Sequence, residues 1–383
     1  MAPQPILDSY ADYDCKVNDI DVLELFRLYE KCGFIYIDKL DHLIPYFVEI
    51  RNNWERAMAA GEDLIAVVTC GDPETASWGS ITAWRTTLHG WQTQHLVSFG
   101  DPLRSRSVML ARIAVLLNQK KVHADQAWFQ PTNRFTNRVF GSIVEVVGAD
   151  SGCVNTMESL TISRTTLPEA DIPSRVQVER ATSEHLSEIA SICGKVRGKV
   201  WLQGEGLDQD DIDLESLDEI YRKANLRRYR RVYLAYRESS DQPIGAAIVY
   251  RGPLGFSFSF LENRCELVID PDLDEAVARE VIVALLHRSS LDYEDFSPDV
   301  IPIITDHATA ESLEAMGAQR FKTYSQSMWL SDGLEPTYRH VERFYDRLAR
   351  VGARHGLHAP NWVNRSNFVK TDEDGNIETR EDS

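Results

Sequence analysis

The chain contains one stretch twice. Asp101-Pro102-Leu103-Arg104-Ser105-Arg106-Ser107-Val108-Met109-Leu110-Ala111-Arg112-Ile113-Ala114-Val115-Leu116-Leu117 aligns without a gap on Asp270-Pro271-Asp272-Leu273-Asp274-Glu275-Ala276-Val277-Ala278-Arg279-Glu280-Val281-Ile282-Val283-Ala284-Leu285-Leu286. The copies share Asp-Pro, a Val, an Ile and a closing Leu-Leu at one constant offset. An apolar run with strand character precedes each (Leu96 to Phe99; Leu267 to Ile269), a Pro ends it, and apolar residues then recur at helical spacing. A strand–turn–helix unit used twice restricts the chain to an architecture that accommodates it twice. Each turn aims backbone N–H groups and the positive end of a helix at whatever lies in front of it, which suits a phosphate-bearing ligand.

Flanking segments keep the same order. In the first copy, helical patterns cover 21–29 and 42–60. They are followed by a buried strand at Leu64–Val68, a strand at Gly79–Arg85, the repeated unit, a strand at Ala127–Phe129, a short helix through Phe140 and a last strand at Glu158–Ile162. In the second, Val176–Thr182 reads as a strand and Ile220–Arg231 as a basic helix. Val232–Arg237 and Gly245–Arg251 then match the two strands of the first copy, and a strand at Ile301–Ile304, a helix to Met316, Gly317 and a strand at Tyr324–Leu330 close the set. The expected division is 1–165 and 176–331 with a linker at 166–175. A helix at 332–358 follows, its Tyr338, Val341, Phe344, Tyr345, Leu348 and Val351 facing the second copy, and then a disordered acidic tail at 359–383.

Composition narrows the class. The 383 residues carry a formal net charge of −18, against nonspecific binding to nucleic acid or an anionic membrane. No run reaches transmembrane length and no signal core follows Met1, so the expectation is a cytoplasmic protein without a membrane partner. Cys15, Cys32, Cys70, Cys153, Cys193 and Cys265 are scattered, as expected of reduced buried thiols and not of a zinc site; no metal is expected.

Helices, a β-hairpin, strand–turn–helix, then strand–helix–Gly–strand is the order of the GNAT acyl-CoA acyltransferase fold. The sequence resembles two such folds in tandem, over most of 20–165 and 176–330, plus the C-terminal helix: an α+β chain with mixed sheet. The resemblance implies acyl transfer from acetyl-CoA or another acyl-CoA, as co-substrate, to a small-molecule or peptide amine by direct attack; some paired GNAT-like folds draw on aminoacyl-tRNA, but the acidic charge balance counts against a nucleic-acid partner here. It also implies a cleft where the fourth and fifth strands part.

In that family an Arg/Gln-x-x-Gly-x-Gly/Ala motif follows the fourth strand, its small residues opening the amide nest to the pyrophosphate. The first copy has Arg104 and Arg106 with Ser107, Val108 and Met109; the second has Ala276 and Ala278 but no leading Arg. Over 101–117, three Arg less one Asp gives +2; over 270–286, one Arg less five acids gives −4. A mismatched unit charge near a phosphate costs on the order of 1 kcal/mol even in water, so charge selects the first copy. Arg104, Arg106, Ser107 and Val108 are therefore the expected coenzyme contacts, joined by Asn133, which matches the family's Asn at the end of the fifth strand. The family's proton-donating Tyr, seven residues on, is Phe140 here and Leu313 in the second copy, and neither carries a donor. His95 and Glu158 are the expected catalytic bases, being polar residues on or near the fourth strand that can titrate near neutrality. The alternative is a GNAT-like scaffold, without catalysis, that binds a ligand or protein in the same cleft. The residues leave the acceptor and the oligomeric state open.

Overall fold

The computed structural model describes residues 6–166 and 175–354, apart from 75–76, 102, 120 and 239. The expected linker falls largely outside these residues, and the acidic tail entirely. The first half runs β1 (Cys15–Val17), α1 (Val22–Lys31), α2 (Ile37–Leu43), α3 (Phe47–Ala60), β2 (Ile65–Asp72), β3 (Ser77–Arg85), β4 (Gly90–Phe99) and α4 (Leu103–Asn118). It continues with β5 (Ala124–Phe129), α5 (Arg134–Thr136) running on as a π-turn through Gly141, α6 (Ile143–Val147) and β6 (Gly152–Ser163). The second runs β7 (Val176–Arg180), α7 (Leu186–Arg197), α8 (Lys199–Gly204), α9 (Glu215–Lys223), β8 (Tyr229–Arg237), β9 (Pro243–Arg251) and β10 (Cys265–Ile269). Then come α10 (Glu275–Ser290), β11 (Val300–Thr305), α11 (His307–Glu314), β12 (Gln319–Leu330) and α12 (Leu334–Arg354).

All twelve strands form one sheet, in the order β1-β2-β3-β4-β5-β12-β6-β11-β10-β9-β8-β7. Read from either edge, the sequence of elements is the same except in the middle, where the halves exchange their last strands. β12 pairs with β5 of the first half, and β6 pairs with β11 of the second. The exchanged strands also pair with each other, antiparallel from Gln319↔Thr161 to Trp329↔Gly152. Each half therefore completes its sheet with chain from the other.

This exchange redirects α12. The sequence places the helix on the second copy, but β12 lies beside β5, so the chain leaving it emerges over the first half. Tyr338, Val341 and Tyr345 bury themselves in the core that holds Val108, Met109 and Ile113 of α4. The Tyr345 hydroxyl donates to Ser105 Oγ at 2.8 Å and meets Met109 Sδ at 3.6 Å.

Local signals set most helix starts. Asp21 accepts from the amides of Leu23 and Glu24 to open α1, and Asp274 and Asp306 cap α10 and α11 in the same way. Pro45 splits the helical pattern of 42–60, leaving a 3-10 turn before α3. The basic run 227–231 is not a solvated helix. Tyr229 begins β8, Arg228 is buried against Glu262, and buried Arg230 donates to the carbonyls of Ile212, Glu205 and Gly206. Basic residues there satisfy buried acceptors, which composition alone does not reveal.

Candidate active site

β4 and β5 run parallel and pair only at Gly90↔Ala124, Trp91↔Asp125 and Gln92↔Gln126. Beyond those residues they part. β4 is also irregular there: Ser80 faces Val97 and Thr82 faces Gln94, so His95 and Leu96 together stand opposite Ile81. That bulge puts His95 at φ 55°, a left-handed conformation that costs a residue with a side chain roughly 1–3 kcal/mol.

The gap is a cleft of about 780 Å³. Its walls come from β4 (Thr93–Val97), β5 (Ala127–Phe129), the start of α5 (Asn133–Thr136), the segment Cys32–Lys39 and, from the second half, Ser257–Ser259, Leu261 and Tyr324. Val97, Phe34 and Phe258 belong to the core under α1 and α3, whereas Leu96, Phe135 and Phe140 belong to the core under α4. The cleft therefore lies between two cores and passes through the sheet where the strands separate.

At the matching place in the second half, β10 and β11 run parallel and pair only at Cys265↔Ile303 and Glu266↔Ile304. β10 pairs with β9 in unbroken register from Cys265 to Ile269, without a bulge. Past the two β10–β11 pairs Thr305 Oγ1 donates to the Leu267 carbonyl at 3.1 Å, bridging the two strands where they part. In the turn that follows, Lys195 grips Asp270 and Asp272 at 2.7 and 2.6 Å, and Asp274 occupies the Val277 amide.

His95 sits in the cleft wall, buried among aromatic rings. It lies parallel to Phe258 with centroids 4.8 Å apart, is stacked on Trp54 at 5.6 Å and meets Tyr29, Phe34 and Trp84 edgewise or tilted. Burial, with the Lys39 ammonium adding to it, holds the imidazole well below its ordinary pKa, so it is neutral at pH 7. Its Nδ1 has no hydrogen-bond partner among the described residues. Asn133 also lines the cleft, but its side chain is committed to the backbone, accepting from Phe135 and Thr136 at the start of α5.

Glu158 is elsewhere. It belongs to β6, the exchanged strand, and accepts from Thr323 at 3.0 Å while facing His307 at 3.3 Å and Arg320 at 3.6 Å. The exchange carries it to the second half's side of the sheet, where its charge is matched by Arg320. Nor do the expected coenzyme contacts on α4 reach the cleft. The Arg104 guanidinium turns towards β2 and β3, donating to Ser77 Oγ at 3.0 Å and Cys70 Sγ at 3.2 Å, with Asp14 at 3.5 Å. Arg106 pairs with Asp346 of α12 at 3.3 Å, and Val108 is fully buried in the α4 core. Ser107 lies beside Cys70, whose thiol is held below its ordinary pKa by the Cys15 hydrogen bond foremost and by Arg104 and Ser107. Helix α12 thus covers the start of α4, and sequence reasoning missed it because it assigned that helix to the other half.

The structure supplies other groups instead. Arg134 and Arg138, on α5 and its π-turn, line the cleft and are exposed, and neither has an ion-pair partner among the described residues. Tyr324 brings a hydroxyl from the second half, raised by burial to about 12 and bonded to Ser259 at 2.9 Å. Lys39 is half-buried overall, but its ammonium lies 4.3 Å from the Phe34 ring and 5.9 Å from that of Phe258. Burial, then the charge of Lys322, brings its pKa down to about 7. Among the described residues there is no group of three or more His, Cys, Asp or Glu that could hold a metal, and no helix long and apolar enough to cross a membrane.

The element order of each half and the parted parallel pair β4–β5 are the arrangement that the sequence resemblance implies. The fold is tandem GNAT-like. No protein-family model and no curated protein matches the chain. Among solved structures, a Drosophila protein is similar over 83% of this chain and 99% of its own, with TM-score 0.43 and 12% identity. A tandem GNAT protein from the clavulanic acid biosynthesis pathway is similar over 73% of this chain and 88% of its own, with TM-score 0.36 and 10% identity. A GNAT-family acetyltransferase from Colwellia psychrerythraea is similar over 82% and 98%, with TM-score 0.34 and 10% identity.

Proposed function

We propose that the first half is an acyl-CoA-dependent N-acyltransferase and that the second half braces it and completes its acceptor end. The observation that supports this most is the cleft at the β4–β5 parting of the first half, whereas the corresponding parting of the second half is bridged by Thr305. Past Gln92 the edge of β4 no longer pairs with β5, and an extended, amide-bearing arm such as that of CoA can add along such an edge. Arg134 and Arg138 stand at the α5 end with unneutralised charge and suit the coenzyme phosphates; Arg104, Arg106, Ser107 and Val108 do not.

Acyl-CoA would supply the activated thioester. The amine's nitrogen forms the new bond to the acyl carbon, the carbon–sulfur bond breaks, and one proton passes from the amine towards the sulfur. His95, neutral in its aromatic surround, is the group on the cleft wall that can accept that proton. Tyr324 stays protonated at neutral pH and offers the donor that Phe140 lacks. Glu158 has no part in this scheme.

The second reading, a binding scaffold without turnover, is favoured by α12 on the start of α4 through Tyr345 and Ser105. One titration separates them. CoA and acetyl-CoA should raise the melting temperature, because a ligand held only by the folded chain stabilises it by mass action. Arg134→Glu with Arg138→Glu should abolish the shift, and Arg104→Glu should not. A shift without product from any amine selects the scaffold, and no shift with either compound rejects both CoA readings.

A further inference from the structure

Among the described residues, the charged side chains that line the cleft are Lys39, Arg134 and Arg138, with no Asp or Glu. In a chain of net charge −18 that is a local reversal of sign. The two arginines serve the α5 end. Lys39 marks the other, beside Phe34 and Phe258, and Lys322 reaches the same place from β12: its Nζ donates to the Tyr36 hydroxyl and lies 4.9 Å from the Tyr36 ring. Lys39 Nζ lies 5.6 Å from that ring and donates to the Phe34 carbonyl at 3.3 Å, which leaves it two further N–H donors. Neither lysine has a carboxylate partner among the described side chains. Two ammonium groups near one tyrosine, one of them in an aromatic surround, repel each other, and a bound anion would relieve that repulsion.

We infer that this end of the cleft takes a carboxylate-bearing amine with an apolar or aromatic body, its carboxylate seated between Lys39 and Lys322 and its body against Phe34, Phe258 and Tyr324. The proposal deepens the acyl-transfer reading and rests on it for the role of the amine. Cationic acceptors such as polyamines meet like charge there and are excluded. The loss of positive charge that burial forces on Lys39, with its pKa down to about 7, is reversed when a carboxylate arrives.

Binding alone tests this, without CoA and without turnover. The full chain is titrated calorimetrically with L-phenylalanine, with 3-phenylpropionate and with phenethylamine, which differ in carrying both groups, the carboxylate only and the amine only. The first two should bind and phenethylamine should not. Lys39→Met and, separately, Lys322→Met should each weaken phenylpropionate at least tenfold. Each variant's melting temperature is checked first, and Lys322→Met, farther out, keeps the test alive should Lys39→Met fail to fold. Phenethylamine binding as tightly as phenylalanine, no binding by either carboxylate, or carboxylate binding indifferent to both substitutions overturns the inference. A chain that binds CoA but no carboxylate loses this inference alone; one that binds carboxylates but no CoA loses the acyl-transfer reading alone.

Discussion

His95 of the first half and Phe258 of the second lie face to face, 4.8 Å between centroids and 5° from parallel. The wall that holds the candidate base is thus assembled across the two halves, and its aromatic content is what keeps the imidazole neutral. Phe258→Ala should cost about 3–5 kcal/mol of stability, as large-to-small changes of buried aromatics do. It should also move the His95 pKa up towards its ordinary range by admitting water. NMR titration of the His95 ring protons checks the second effect; an unmoved pKa in a folded variant refutes it.

Asp125 carries a pH dependence of opposite origin. It is buried where β4 and β5 begin to part, accepts from Thr93 and the Gln126 amide, and is raised from 3.8 to about 7, chiefly by burial, with Arg112 offsetting part. Because its folded pKa lies above its unfolded one, this group's contribution is full below pH 4 and is lost as pH rises through 7. Asp125→Asn, whose amide oxygen can still accept, should flatten that slope and be more stable than the parent at pH 8 by about 1–3 kcal/mol. Urea unfolding at several pH values reads it directly.

Glu205 ties the exchanged strand β12 to the rest of the second half. Its carboxylate accepts from Arg264 at 3.2 Å, Gln326 at 2.8 Å and Tyr250 at 3.0 Å, all buried. Glu205→Ala should cost about 3–5 kcal/mol, since it removes one of the two carboxylates facing a buried guanidinium. Glu205→Gln, keeping the shape, should cost less, and an equal loss in both variants would show that packing and not charge is at stake.

The halves should not be separable. Expressed alone, residues 6–166 leave β5 and β6 without β12 and β11, two unpaired edges in mid-sheet. Each half alone should aggregate, whereas the two co-expressed should co-purify as one sheet. A monomeric, cooperatively unfolding first half would contradict this.

The strands and the repeated unit were legible because apolar alternation and turn residues are local properties. Gly79–Arg85 and Gly245–Arg251 lie within strands of the structure, and Leu64–Val68 does so from Ile65 onward. The parting at β4 was likewise implied by the resemblance, and with it His95 and Asn133 at the cleft. The strand exchange was not legible, since β6 and β12 have the same local pattern whichever half they join. Three readings depended on it: Glu158 as a cleft base, α12 on the second half, and Arg106 free to meet a phosphate. Arg138 and Tyr324 carried a weak signal, an arginine beside the Asn133 motif and an aromatic in the last strand. Lys39 carried none, because what distinguishes it is the rings that fold around it.

Exchange of the last strands also sets an order of events during synthesis. At ribosomal rates of roughly 5–20 residues per second, β12 leaves the tunnel on the order of ten seconds or more after β5. Until then the cleft has its β4 wall but lacks Tyr324 and the strand that fastens β5. The nascent first half therefore waits, half-built and with an open edge, for a strand made long after its own.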